Sequence, residues 1–192
     1  PFFGGKFTTN SHTGYTATSN TSNANTWVEW VAARLGVAIT PAEVGFVTTR
    51  RPCPAAASVG PNSCTGYAQG GARVTDPNGI GKTGGALTIP LVEQIASHNT
   101  RVVPGFRTGF GDGDMVFVLG GNNDVFVQFG LVGASAIAPE DAVAAVQTAA
   151  TELATLVKTE IIAKGAKRVV VMSLPDFSVT PEFSGLPAEN KA

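Results

Sequence analysis

Two short apolar runs separated by one long amphipathic segment constrain the fold of this chain most strongly. Residues 114–120 and residues 168–172 are rich in valine, and turn-forming residues follow each run. Short runs of this kind are typical of strands that are buried on both faces in a parallel sheet. Between them, apolar residues recur at helical spacing over residues 139–164, and Gly165 follows as a stop signal. A strand, a long helix and a second strand predict the α/β class with a parallel sheet.

The length and charge of the chain limit the kinds of protein it can be. The 192 residues suit a single domain covering 1–192, and 43% hydrophobic residues can supply its core. The net charge of −1 gives no electrostatic basis for a nucleic-acid partner. Apolar runs in the sequence are shorter than the roughly 18–20 residues of a transmembrane helix, so we expect no integral membrane segment.

Two further helices are predicted from the spacing of apolar residues. Trp27, Val31 and Leu35 recur every four residues, which indicates a short amphipathic helix with Trp27 buried. A second helix is predicted to begin near Thr88, with Pro90 in its first turn. The sequence therefore places helices both before and after a long central region without clear periodicity.

That central region, residues 49–87, contains both cysteines of the chain. Cys53 and Cys64 bracket a segment rich in proline, glycine and serine, and we interpret them as a disulfide, with two unpaired thiols as the alternative. A disulfide implies an oxidising compartment. His12 and His98 do not stand at metal-ligand spacing from the cysteines, so no zinc or other metal site is predicted.

Two polar segments are candidates for chemistry. Ligands of parallel sheets bind beyond the carboxyl ends of the strands, where residues 120–124 read Gly-Gly-Asn-Asn-Asp. An asparagine amide on such a glycine turn can donate a hydrogen bond to a developing oxyanion, although a plain turn is the alternative. The Gly-Gly pair in residues 69–73 could present a backbone N–H as a second donor, or could be an ordinary glycine turn.

Other candidate motifs favour structural roles. Residues 79–83 resemble a phosphate-binding loop briefly, but Asp76 stands where that loop needs a glycine, so a flexible glycine turn is predicted. Asp176 follows the second apolar run and is interpreted as a capping residue rather than a catalytic one. His12 and His98 are interpreted as exposed histidines, and neither is assigned as a base.

Five segments in order along the chain carry a resemblance to a known family. They are residues 4–10, 27–31, 67–79, 116–124 and 173–177, of which the last three are the most specific. With these segments the chain resembles the SGNH (GDSL) esterase and lipase superfamily, particularly its secreted bacterial members. The resemblance implies a three-layer, flavodoxin-like parallel sheet flanked by helices.

The resemblance also implies roles for particular residues. Gly71 matches the glycine whose backbone N–H serves the oxyanion hole, with Gly70 as the second choice, and Asn123 matches the side-chain donor. Asn122 lies within the same Gly-x-Asn-Asp block and is assigned to substrate binding. Phe126 is a candidate for lining an acyl pocket, with core packing as the alternative.

The nucleophile and base of the family have no match within these residues. The Gly-Asp-Ser-Leu block would stand just upstream of Pro1, and the Asp-x-x-His block downstream of Ala192. The first strand of the family's sheet is unmatched as well, so we expect an incomplete sheet with an unpaired edge. A complementary segment or chain is therefore expected to carry the serine and the histidine.

These observations predict a secreted or periplasmic ester hydrolase that acts through a serine acyl-enzyme. The expected substrate is a small-molecule or lipid-like ester, the polar segment 8–26 would border its entrance, and no cofactor is expected. The alternative is a non-catalytic binding module, for example for carbohydrate, on a degenerate SGNH scaffold. The coding sequence on both sides of the segment distinguishes these two interpretations.

Overall fold

The computed structural model describes residues 26–54, 61–100 and 108–177. These ranges contain helices and strands in the order α1 (Trp27–Arg34), β1 (Glu43–Phe46), β2 (Thr49–Pro52), α2 (Leu91–Thr100), β3 (Val116–Val118), α3 (Asn122–Gly133), α4 (Pro139–Leu156) and β4 (Val169–Val171). Two short 3-10 turns, Pro61–Ser63 and Lys82–Gly84, lie in the central loops. Among the helices of these ranges, none is long and apolar enough to cross a membrane.

The four strands form two separate pairs. Strands β1 and β2 pair antiparallel, from Glu43 opposite Pro52 to Phe46 opposite Thr49. Strands β3 and β4 pair parallel, with Val118 opposite Val171, and helices α3 and α4 connect them. The described part of the chain is therefore a mixed α/β structure that contains a parallel pair, as the sequence predicted.

The main apolar core lies between β3, α2 and the end of α4. Its buried members come from five different segments of the chain: Ala72, Leu91, Val118, Val157, Ile161 and Ala166. Partly buried apolar side chains, including Ile95 and Leu153, pack around them. Because Ala72 belongs to this core, the loop that carries the Gly-Gly motif is anchored beside the end of β3.

Helix α4 changes its winding near its end. The α-helical part stops at Leu156, and Val157–Ile162 continues as a π-helical turn, a wider form in which each N–H reaches five residues back. Val157 and Ile161 in this turn are both buried in the core. Gly165 then adopts a left-handed conformation with φ +111°, which ends the helix as its sequence position predicted.

Two predictions of burial are wrong. Trp27 is 45% exposed and Trp30 is 58% exposed, and Trp27 contacts Phe117 edge-on at a centroid distance of 5.1 Å. In β4, Val170 and Val171 are also exposed instead of being buried on both faces. An apolar run identifies a strand, but its burial depends on neighbours that the run itself does not encode.

The central region is more ordered than its sequence suggested. Strand β2, the second strand of the β1–β2 hairpin, lies in it, although this strand reads Thr-Arg-Arg-Pro, is exposed throughout and lacks the apolar alternation of a half-buried strand. The predicted disulfide is confirmed: Cys53 and Cys64 are bonded, with their Cα atoms 5.3 Å apart. Both cysteines are buried, and Tyr67 packs against them.

Candidate functional site

The candidate site lies where β3 ends and α3 begins. Gly121 has a φ of +98°, a left-handed conformation that glycine adopts without steric cost, and it turns the chain directly into the helix. The sequence predicted a glycine turn over residues 120–124, whereas Asn122 and the two residues after it form the first turn of α3. This first turn presents two side-chain amides and a carboxylate at the end of the strand.

The structure brings the two predicted donor segments together. The side-chain Nδ2 of Asn123 donates a hydrogen bond of 2.7 Å to the carbonyl oxygen of Ala72, across a separation of 51 residues. Ala72 directly follows Gly71 in the segment that we call the site loop, residues 69–76. The two residues that the resemblance assigned to an oxyanion hole are therefore neighbours in space.

Gly71 requires a glycine for two separate reasons. Its φ is +80°, and a Cβ atom at this position would collide with the carbonyl oxygen of Ile80. The close approach is fixed by a hydrogen bond of 2.9 Å from the Ile80 N–H to the Gly71 carbonyl. Among the described residues, none accepts a hydrogen bond from the Gly71 N–H. The carbonyl of Gly71 is thus occupied, whereas its N–H has no hydrogen-bond acceptor within the described ranges.

Asp124 connects the first turn of α3 to the site loop. It is 3% exposed, and its Oδ2 accepts a hydrogen bond of 3.1 Å from the Val74 N–H. Its Oδ1 accepts a hydrogen bond of 3.0 Å from Nε of Arg73, which completes a buried ion pair. Neither Asp124 nor Arg73 has a role that was predicted from the sequence. The available signal was a carboxylate in one polar motif and a guanidinium in the other.

Helix α2 holds the same loop from its other side. The backbone N–H groups of Leu91 and Val92, at the start of α2, donate to the carbonyl oxygens of Arg73 and Val74 at 3.0 and 3.1 Å. Helix N-termini have unpaired N–H groups, so these bonds satisfy both partners. The site loop is therefore fixed between two helix N-termini.

The far end of the site loop has further polar contacts. Arg73 forms a second ion pair with Asp76, and the Thr75 hydroxyl donates a hydrogen bond of 2.6 Å to Oε2 of Glu152 on α4. The Thr75 bond attaches the C-terminal end of the site loop to a third helix, α4. The loop is long and glycine-rich but is held at several points.

The residues assigned to substrate binding lie on the same part of α3. The Oδ1 atom of Asn122 is buried and has no hydrogen-bond partner within the described ranges. Phe126 is half-buried and packs edge-on against Phe177 at 5.0 Å, which is the contact expected of core packing as well as of a pocket wall. Leu174 lies close to Gly121, so the segment after β4 meets the start of α3. Gly70 is half-buried beside Gly71.

His98 is not an exposed histidine, contrary to the sequence prediction. It is half-buried, with Nδ1 3.2 Å from the Tyr67 hydroxyl and Nε2 3.0 Å from the Gly109 carbonyl oxygen. Its ring also packs against Phe110. These contacts give it a structural role in joining α2 to two loops. His12 and residues 8–25 lie outside the described residues.

The described residues offer no evident metal centre. Over residues 26–54, 61–100 and 108–177, no group of three or more His, Cys, Asp or Glu side chains could hold a metal ion. The polar groups at the site are amides, backbone N–H groups and the carboxylates of Asp76 and Asp124, both of which are paired with Arg73. This set is suited to donating hydrogen bonds to an anion or a polarised carbonyl.

Comparisons with known proteins identify no relative of this chain. No family model matches it, and no curated protein and no solved structure matches it.

Proposed function

We propose that this chain supplies the oxyanion hole of a serine ester hydrolase of the SGNH type. The observation that carries the proposal is the hydrogen bond from Asn123 to the Ala72 carbonyl, which sets a side-chain amide against the residue that follows Gly71. The N–H of Gly71 has no acceptor among the described residues, and this glycine cannot be replaced without a collision. Two donors from separate motifs thus lie together at the carboxyl end of a parallel strand, where such sheets bind ligands.

The donors match the needs of acyl transfer. When a serine attacks an ester carbonyl, the carbonyl oxygen becomes negatively charged and is stabilised by fixed N–H groups. The amide of Asn123 has two hydrogens, of which the bond to Ala72 uses one and leaves the other for the oxyanion. The Gly71 N–H supplies the second donor. Each such donor typically contributes about 3–4 kcal/mol to lowering the barrier.

The proposal assigns the nucleophile and the base to segments outside these residues. In the family that the chain resembles, the serine block would precede Pro1 and the histidine block would follow Ala192. The substrate class is then a small-molecule or lipid-like ester, with the acyl group beside Phe126 and a polar contact at Asn122. The disulfide is compatible with secretion or a periplasmic location, which forms part of the same proposal.

The test is labelling of the complete gene product with a fluorophosphonate, followed by mapping of the modified peptide by mass spectrometry. Asn123→Ala removes the side-chain donor, and Asn78→Ala is the matched control because Asn78 is an exposed amide near the site loop. We expect label on a serine outside residues 1–192. We also expect slower labelling in Asn123→Ala and an unchanged rate in Asn78→Ala.

Two other results would contradict the proposal. Label on a serine within residues 1–192 would show that the nucleophile belongs to this segment and that its assignment to a flanking block is wrong. Absence of label from a protein shown to contain both flanking blocks would remove the case for a hydrolase and favour the binding module.

A carbohydrate-binding module remains the second candidate, and one observation favours it. Trp27 and Trp30 lie three residues apart on α1, so they share a face, and they are 45% and 58% exposed. Exposed aromatic groups on a folded domain often mark a binding surface. Titration with soluble oligosaccharides should then change tryptophan fluorescence in the parent protein but not in Trp30→Ala. Unchanged fluorescence in the parent would exclude this candidate for those sugars.

A further inference from the structure

We infer that the buried Arg73–Asp124 ion pair is the positioning device for both proposed oxyanion donors. The inference rests on the proposed function, because it assigns these side chains to holding the hole and not to touching the substrate. Asp124 directly follows Asn123 in the chain, and Arg73 stands two residues after Gly71. Asp124 is therefore the direct neighbour of one proposed donor, and a single residue, Ala72, separates Arg73 from the other.

The Asp124 carboxylate has both oxygens engaged by the site loop. Oδ1 accepts from Arg73 Nε and Oδ2 accepts from the Val74 N–H, at 3.0 and 3.1 Å. The exposed fraction of the side chain is 4% for Asp124 and 13% for Arg73, so little water can replace either partner. Removing one member of a buried pair leaves an uncompensated polar group and moves the structure around it.

Three contacts then fix the spacing between the loop and α3. The Asn123 amide bonds to Ala72, while the neighbouring carboxylate of Asp124 bonds to the next two residues, Arg73 and Val74. Two consecutive side chains of α3 thus engage three consecutive residues of the site loop. If the carboxylate bonds are lost, the Asn123 bond alone remains between α3 and these loop residues, while the bonds from α2 still hold Arg73 and Val74, so the start of α3 can shift relative to the loop.

Such a shift would displace the Asn123 amide relative to the Gly71 N–H. Catalysis through paired donors is sensitive to this spacing, since a misplacement of about 1 Å can cost roughly 100-fold in rate. The substrate would still bind through its acyl group, because the ion pair does not contribute to that contact. The loss should therefore appear in kcat and not in KM.

The experiment compares two substitutions in the complete gene product, each of which weakens a different attachment of the site loop. Asp124→Asn keeps the side-chain shape but removes the charge that pairs with Arg73. Glu152→Gln is the matched control, because it weakens the Thr75 contact to α4 at the far end of the loop. Both variants are assayed on p-nitrophenyl acetate, with thermal unfolding measured alongside.

We expect Asp124→Asn to lower kcat by about 10- to 100-fold with KM within about twofold of the parent. Glu152→Gln should change neither constant by more than about twofold. Should Asp124→Asn fail to fold, Arg73→Lys takes its place. It keeps the charge but not the Nε–H contact, and the same kcat effect is expected at about tenfold.

Three results would overturn the inference. Equal losses in Asp124→Asn and Glu152→Gln would show that the loop needs attachment in general, with no special part for the ion pair. A loss that appears in KM would place the pair in substrate binding, and an unchanged kcat would remove its role. A parent protein that hydrolyses no ester and takes no fluorophosphonate would instead refute the proposed function, and this inference with it.

Discussion

Two loop regions of this molecule are held in place by different means. The hairpin region, residues 40–54 and 61–67, is closed by the Cys53–Cys64 disulfide. The site loop, residues 69–76, has no covalent link and is held by hydrogen bonds and ion pairs to three helices. The regions are adjacent in sequence, and the hairpin region contains strands β1 and β2, whereas the site loop contains neither a helix nor a strand.

The difference reflects what each attachment can specify. A disulfide acts mainly by restricting the unfolded chain, so it stabilises a region without fixing the atoms several residues away. The bonds of Asp124 and Asn123 instead fix particular backbone atoms of the site loop relative to α3. We expect the disulfide to matter most for stability and the polar contacts to matter most for the rate of reaction.

The largest effect is expected at the side-chain donor of the site. Asn123→Ala should lower kcat on an aryl ester by about 10²- to 10³-fold, because one of the two proposed donors is lost. Its effect on the free energy of unfolding should be small, about 1 kcal/mol for one hydrogen bond. Steady-state kinetics and urea denaturation of the complete gene product check both values. A fold that is lost together with the activity would contradict the separation of the two roles.

Removal of the disulfide should give the opposite result. Cys53→Ser with Cys64→Ser should reduce the free energy of unfolding by about 3 kcal/mol, the value for a loop of this length. The kcat of the folded fraction should stay within about twofold of the parent, since the disulfide does not touch the site loop's bonds to α3. Urea denaturation and kinetics at low temperature provide the comparison. A large loss of kcat would show that the hairpin region also positions the site.

A comparison of two glycines distinguishes the cost of a left-handed backbone conformation from the cost of a steric collision. Gly71 and Gly36 both have positive φ values, +80° and +72°, but a Cβ would collide at Gly71 and would meet nothing within 4 Å at Gly36. Gly36→Ala should therefore cost about 1 kcal/mol for the left-handed conformation alone. Gly71→Ala should cost about 2 kcal/mol or more, because the Ile80 carbonyl must move as well. Equal losses of stability for Gly36→Ala and Gly71→Ala in thermal unfolding would show that the backbone around Ile80 moves at little cost to accept the Cβ atom.

The smallest effect is expected for the ion pair of the hairpin region. Arg50 pairs with Glu43, but the Arg50 side chain is 47% exposed, in contrast to 13% for Arg73. Arg50→Met should lower the free energy of unfolding by about 1 kcal/mol, because solvent reaches the Arg50 side of the pair but Glu43, whose side chain is 9% exposed, loses its cation. Urea denaturation checks this value. A loss as large as that caused by Arg73→Met would remove the distinction between the two regions.

The sequence predicted the elements whose signals are local. The valine runs of β3 and β4 and the apolar spacing of α4 are confirmed as elements in the described structure, and the helix predicted to begin near Thr88 is present but begins at Leu91, after Pro90. The disulfide is confirmed as well. It could be predicted because both cysteines lie in one short segment. Strand β2 could not be found in this way, since its pairing with β1 comes from backbone bonds and not from an apolar pattern.

The sequence predicted the two proposed hydrogen-bond donors of the site, but it did not predict the ion pair that holds the site loop in place. Gly71 and Asn123 stand in recognisable motifs, whereas the pairing of Arg73 with Asp124 joins residues 51 positions apart. Such a pairing depends on how the loops fold back, which neither motif encodes. The exposure of Trp27 was missed for a related reason, because spacing indicates which residues share a helix face but not whether a neighbour covers that face.

The π-helical turn at the end of α4 has a consequence for changes in chain length. A turn of this kind contains one residue more than an α-helical turn. One residue can therefore be removed here without changing the positions of the segments before and after the turn. Thr159 lies in this turn and is exposed, and its hydroxyl bonds within the helix to the Thr155 carbonyl. Deletion of Thr159 should therefore shorten the turn to ordinary α-helix and leave the start of β4 in place. A deletion of equal size within Pro139–Leu156 would instead rotate every later residue away from its present neighbours.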